Sequence, residues 1–136
     1  MEESRGGSQV IEAQKLILRD EHGKVRVILS AESPNVGIRL LDSKEKSRIQ
    51  LTLSDEGAMG LQFFDDAGTA RMVAALDPDS EYTATPTLAL SSKGGNGSIV
   101  AYASSDGVNS IAFYDKSKKL AFLIPQWLFD PDHSTS

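Results

Sequence analysis

A run of the form apolar-x-apolar-x-Asp-x-x-Gly, followed by an alternating segment, recurs about five times between Leu16 and Ile124. With the second apolar residue as a landmark, the copies sit at Leu18, Leu40, Phe63, Leu90 and Phe113, spaced 22, 23, 27 and 23 positions apart. A fixed period in this range marks a stacked or meandering array. Each arm alternates at period two, the spacing of a strand and not of a helix. The chain therefore reads as all-β: about ten short strands in five repeated hairpins, arranged as a barrel-like or prism-like meander. The rival arrangement is a flattened β-solenoid in which equivalent strands stack in parallel. In a meander Leu29 lies beside the 36–40 strand, whereas in a solenoid Leu18 stacks near Leu40.

The Asp-x-x-Gly segment has a mechanical reading. A hairpin loop built on a type I turn ends with a residue at positive φ, which favours glycine, and Asp at the first position caps the turn with its side chain. Gly23 and Gly68 fit, while Glu45 and Lys118 take the same place without glycine, which predicts strain or another turn type there. A four-residue loop from Asp20 to Gly23 predicts Leu18 opposite Val25 and Leu16 opposite Val27. It gathers Leu16, Leu18, Val25, Val27 and Leu29 on one buried face, with matching sets in the second, third and fifth copies. The fourth copy, with Lys93-Gly94-Gly95-Asn96-Gly97 in its loop, leaves its return register open. Turn-forming groups at 32–35, 54–57, 77–80 and 105–107 join the hairpins.

A length of 136 residues suits one domain. We read 1–9 as a disordered tail, 10–129 as a single β-repeat domain and 130–136 as a second disordered tail. A net charge of -5 argues against a nucleic-acid groove. Without cysteine, disulfides and thiolate chemistry are excluded. No apolar run suits a membrane span or a secretion signal, so the expectation is a soluble, cytoplasmic protein without a membrane partner.

Chemistry-bearing constellations are scarce. His22 lies in a turn and His133 in the tail, neither with a second ligand at metal spacing. No Gly-x-Ser-x-Gly elbow supports a hydrolase. The recurring Asp20, Asp42, Asp65 and Asp115 read as turn caps, because calcium repeats bring several carboxylates into each short unit. The expectation is no enzyme, no metal and no cofactor. Arg26, Arg48 and Arg71 recur six residues after their aspartates, opposite the main apolar set. They read either as a ladder of exposed ion pairs or, with Phe64 and Tyr114, as a row of forks for a small anionic ligand or carbohydrate. The face they share also carries Ile17, Ile28, Leu41, Val73 and Leu123. A sheet face in water alternates more cleanly than this, which points to self-association, with Leu41, Phe64, Tyr114, Trp127 and Phe129 as candidate interface residues.

The string apolar-x-apolar-x-Asp-x-x-Gly-x-x-Arg in Leu16 to Arg26 and Leu61 to Arg71 resembles a group of uncharacterised bacterial repeat proteins, in which similar units follow one another, sometimes behind a coiled coil. The resemblance spans residues 14–124 and implies no activity. The functional expectation is a structural or protein-interaction domain that forms a homo-oligomer, with a trimer favoured. The alternative is a small-ligand or carbohydrate-binding β-barrel.

Overall fold

The computed structural model describes residues 10–76, 86–103 and 109–125. Ten strands lie within them: β1 (Lys15–Arg19), β2 (Val25–Ser30), β3 (Asn35–Leu41), β4 (Ser47–Ser54), β5 (Met59–Phe64), β6 (Ala70–Leu76), β7 (Thr87–Ser91), β8 (Gly97–Tyr102), β9 (Ser110–Asp115) and β10 (Leu120–Pro125). They form one sheet in sequence order, and every neighbouring pair is antiparallel. Leu29 pairs with Ile38, as a meander requires, and Val27 separates Leu18 from Leu40. The strand order begins at β1 and ends at β10, so the sheet is open and flattened, not closed into a barrel. No helix among the described residues is long and apolar enough to cross a membrane. Both tails, the joining turns at 77–80 and 105–107, and Trp127, Phe129 and His133 lie outside the described residues.

Four of the five hairpins are built from two bulges each. In the first, the Gly23 N–H donates to the Asp20 carbonyl and the Asp20 N–H to the Lys24 carbonyl, both at 2.9 Å. Gly23 has φ 76°. This is the three-residue loop in which a type I turn runs into a bulge at positive φ. The same pair of bonds closes the turns at Asp42, Asp65 and Asp115. A second slip follows at once: Leu18 pairs with Val27 and Arg19 with Val25, which leaves Arg26 over. Arg48, Arg71 and Ala121 are left over in the same way.

The predicted register is therefore corrected by two residues, since Leu18 meets Val27 and Leu16 meets Leu29. Each bulge inserts one residue, and two insertions restore the parity on which the faces depend. The apolar sets survive for that reason. Val25 and Leu120 are the exceptions, paired beyond the slip with Arg19 and Tyr114. The fourth hairpin has no slip: Leu90 pairs with Ile99 and Ser91 with Ser98. Its loop bends through a short 3₁₀ turn at Lys93–Gly95, with Gly94 and Gly95 at φ 79° and 71°.

Glu45 and Lys118 hold the glycine position at φ 60° and 59°, so these turns are of the common type and carry the predicted strain. A left-handed L-residue costs about 1–2 kcal/mol, and glycine gives back about 0.5–1 kcal/mol in backbone entropy. Lys118→Gly is expected to raise stability by about 0.5 to 1 kcal/mol, read from a urea melt.

The register lays two apolar rows across all ten strands. One runs Leu18, Val27, Leu40, Ile49, Phe63, Met72, Leu90, Ile99, Phe113, Phe122, and so contains all five landmark residues. The other runs Leu16, Leu29, Ile38, Leu51, Leu61, Ala74, Leu88, Ala101, Ile111, Ile124. Neither contains a polar side chain. The expectation that this face is buried within the chain is corrected. Leu18, Leu40, Leu51 and Phe122 are 46%, 37%, 46% and 58% exposed. Among the described residues only Ala112 and Ser110 are buried. The physical reason is the count of layers: a core forms between two layers of secondary structure, and a single open sheet supplies one.

Candidate functional site

Two surfaces repeat along the sheet, and the first is the edge where the aspartate turns lie. Asp42 Oδ1 accepts from the N–H of Lys44 at 2.8 Å and of Lys46 at 3.0 Å. Asp20, Asp65 and Asp115 cap their turns identically. The second oxygen goes to the bulged arginine. Arg48 Nε donates to Asp42 Oδ2 at 2.7 Å, and Arg71 Nε to Asp65 Oδ2 at 2.7 Å. Arg26 Nη1 lies 3.3 Å from Asp20 Oδ2. The bulge explains the spacing, because it turns the sixth residue after the aspartate back along the hairpin end.

The arginines also reach the next hairpin. Arg26 Nε donates to the Leu41 carbonyl at 3.0 Å, Arg48 Nη2 to Asp66 Oδ1 at 2.5 Å and Arg71 Nη1 to the Ser92 carbonyl at 2.6 Å. Lys24 and Lys46 make parallel stitches to the carbonyls of Ser43 and Asp66. Hairpin ends are thus tied one to the next by charge-assisted bonds. The Ser92 carbonyl takes this place in the fourth copy, which lacks the aspartate.

Backbone donors, first that of Lys46 and then that of Lys44, together with the Arg48 guanidinium, lower the Asp42 carboxyl to about 2. Asp65 is lowered by the Thr69 N–H first and then by Arg71. In Asp20, desolvation opposes and the Lys24 and His22 N–H groups and Arg26 outweigh it. Because the folded values lie below the ordinary 3.8, the linked stability is present above that value and is lost as pH falls toward about 2. Urea midpoints are expected to fall through that window. In an Asp42→Asn variant the fall is expected to be shallower, as one contributor is gone.

The candidate ligand row is only partly assembled. Arg26, Arg48 and Arg71 lie along one edge, each at the bulge of its hairpin. Each guanidinium is already held by a carboxylate, a carbonyl or both. Arg71 and Tyr114 line one shallow hollow of about 520 Å³, with Ser91, Ser92 and Ser98. Phe64, paired with Ala70, is not part of it. Leu41, Phe64 and Tyr114, the described members of the candidate interface, are half-buried on the face opposite the leucine rows. His22 is exposed and within 3.7 Å of Glu21 only as a surface pair. Among the described residues no group of three His, Asp or Glu side chains could hold a metal ion.

The second surface is the leucine face. A hollow of about 860 Å³ runs across it, lined by the second row from Leu51 on β4 to Ile124 on β10. Ala74 and Ala101, the small members of that row, are among its lining residues. Sequence reasoning found these residues but assigned them to an interior. The signal it lacked was the missing second layer: every strand among the described residues belongs to the one sheet. No family model matches the chain, and no curated protein matches it.

Proposed function

We propose that the protein is a non-enzymatic structural or protein-interaction domain that self-associates through its β-repeat surface. The observation that carries this reading is the pair of unbroken apolar rows on the leucine face, which no second layer covers among the described residues. Five residues of each row, from Leu18 to Phe122 in one and from Leu16 to Ile111 in the other, are more than a third exposed. A patch of this extent marks an interaction site. Each leucine-sized side chain buried against a partner gains about 1.5 to 3 kcal/mol. A second copy brings the same rows and the same lack of cover, and a trimer is the closed form we favour.

Light scattering on the eluting peak of a size-exclusion column tests the reading. The expected mass is a small multiple of the chain, and a single monomeric peak at micromolar concentration overturns it. The ligand-binding alternative has less support, because the arginine donors it needs are committed within the sheet.

A further inference from the structure

We propose that copies join edge to edge, β10 of one chain pairing antiparallel with β1 of the next, so that the sheet and its repeat continue across the joint. This rests on the self-association proposed above and specifies the joint: continued edge to edge, the sheets curl toward the hollowed leucine face, so that the apolar rows of the copies come to lie inside the ring and cover one another. Among the described residues nothing pairs with the outer edge of β1 or of β10. Just beyond the end of the β1–β2 pair the Ala31 N–H donates to the Gln14 carbonyl, and bonded pairs alternate along an antiparallel ladder. Leu16 and Leu18 therefore spend their backbone groups on β2, and Ile17 turns its own outward. The last hairpin repeats the slip and turn of the first, which leaves Leu123 as the outward residue of β10.

Setting Leu123 opposite Ile17 of a second copy places Phe122 opposite Leu18 and Ile124 opposite Leu16. Both apolar rows then run on without a break. The middle row of the other face, with Val73 opposite Ala89 and Val100 opposite Ala112, also continues, through Leu123 into Ile17. Turns stay with turns, since the Asp20 and Asp115 loops occupy the same edge. The new joint has the parity of the joints between β2 and β3 or between β8 and β9, so it is one more of the repeat's own contacts.

Charge selects this joint over its symmetric rivals. Pairing β1 with itself about Ile17 sets Lys15 against Arg19, like charges directly opposed. Pairing β10 with itself about Leu123 brings Pro125, which has no N–H, opposite Ala121. The β10 strand carries no charge, so it accepts the cationic edge without repulsion. A joint between unlike edges closes by rotation into a ring or runs on as a filament, which accords with a trimer.

The chain has no cysteine, so single-cysteine variants report the joint cleanly. Leu18→Cys and Phe122→Cys are purified, mixed in equal amounts and oxidised. They would form a non-hydrogen-bonded pair with Cα atoms about 4.5 Å apart, inside the disulfide range. Mixed disulfide dimers are expected in roughly tenfold excess over self-linked ones, because the geometry admits one pairing and not the other. Leu16→Cys mixed with Phe122→Cys, two residues out of register, is expected to stay unlinked. Ile17→Pro removes only an outward N–H and is tolerated on an edge. It is expected to keep the strand signal in circular dichroism and to lose assembly, with Leu123→Pro doing the same from the other side. Self-linked dimers in excess, or an unchanged mass in both proline variants, overturn the edge joint while self-association stands. A wild-type monomer overturns both.

Discussion

Replacing Leu51 and Leu61 together with lysine is expected to convert the assembled protein into monomers, with the dissociation constant raised by at least about a hundredfold. The two residues face each other across β4 and β5, in the middle of the second apolar row, and both line the hollow. In the single chain Leu51 is 46% exposed, so a lysine there costs the isolated sheet little. In an assembly the same position is covered. Each substitution then forfeits about 1.5 to 3 kcal/mol of burial and strands a cation in an apolar interface, which costs several kcal/mol more. Gln50→Lys with Gln62→Lys is the matched control. These residues are the next along the same two strands, also paired, but on the opposite face. Sedimentation of the two double variants at equal concentration locates the contact: loss of mass in the leucine pair alone supports the leucine face. Loss in the glutamine pair alone would place the contact on the side that carries Leu41, Phe64 and Tyr114.

The contrast between those faces shows what was legible from residues alone. The period and the strand count follow from alternation and turn chemistry, and the landmark residues Leu18, Leu40, Phe63, Leu90 and Phe113 do share one row; a meander and a solenoid give the same alternation, and only the pairing of Leu29 with Ile38 separates them. The pairing offset at each hairpin was not legible, because a bulge at Arg26, Arg48 or Arg71 leaves no mark in the alternation. It adds one residue to a strand whose next residue is still apolar. The role of the arginines was half legible. Spacing put them opposite the apolar set, but only the bulge explains why each lies against its own aspartate and the following hairpin at once. Burial was misjudged for a different reason: alternation tells which side chains share a face, and says nothing about whether a second layer exists to cover it.

Gly37→Ala tests the tightness of that sheet independently of assembly, and the expected loss is large, about 3 kcal/mol or more in the urea melt. Gly37 sits on β3 opposite Thr52 of β4. A methyl group built on its backbone would lie 2.3 Å from the carbonyl oxygen of Leu51, an atom fixed within β4. A flexible side chain could swing away, but a strand backbone can yield only by parting from its neighbour, and β3 and β4 share the most extended pairing in the sheet, from Asn35 with Ser54 to Leu41 with Ser47. Gly60, paired with the same Thr52 from the other side, is the control. A methyl there would meet the Ala74 carbonyl oxygen at 3.8 Å, an ordinary contact, so Gly60→Ala is expected to be neutral or to gain about 0.5–1 kcal/mol from reduced backbone entropy in the unfolded chain. Equal losses at the two glycines would mean that β3 and β4 are not as closely paired as this register places them. An intact Gly37→Ala protein would refute the close approach at Leu51 directly.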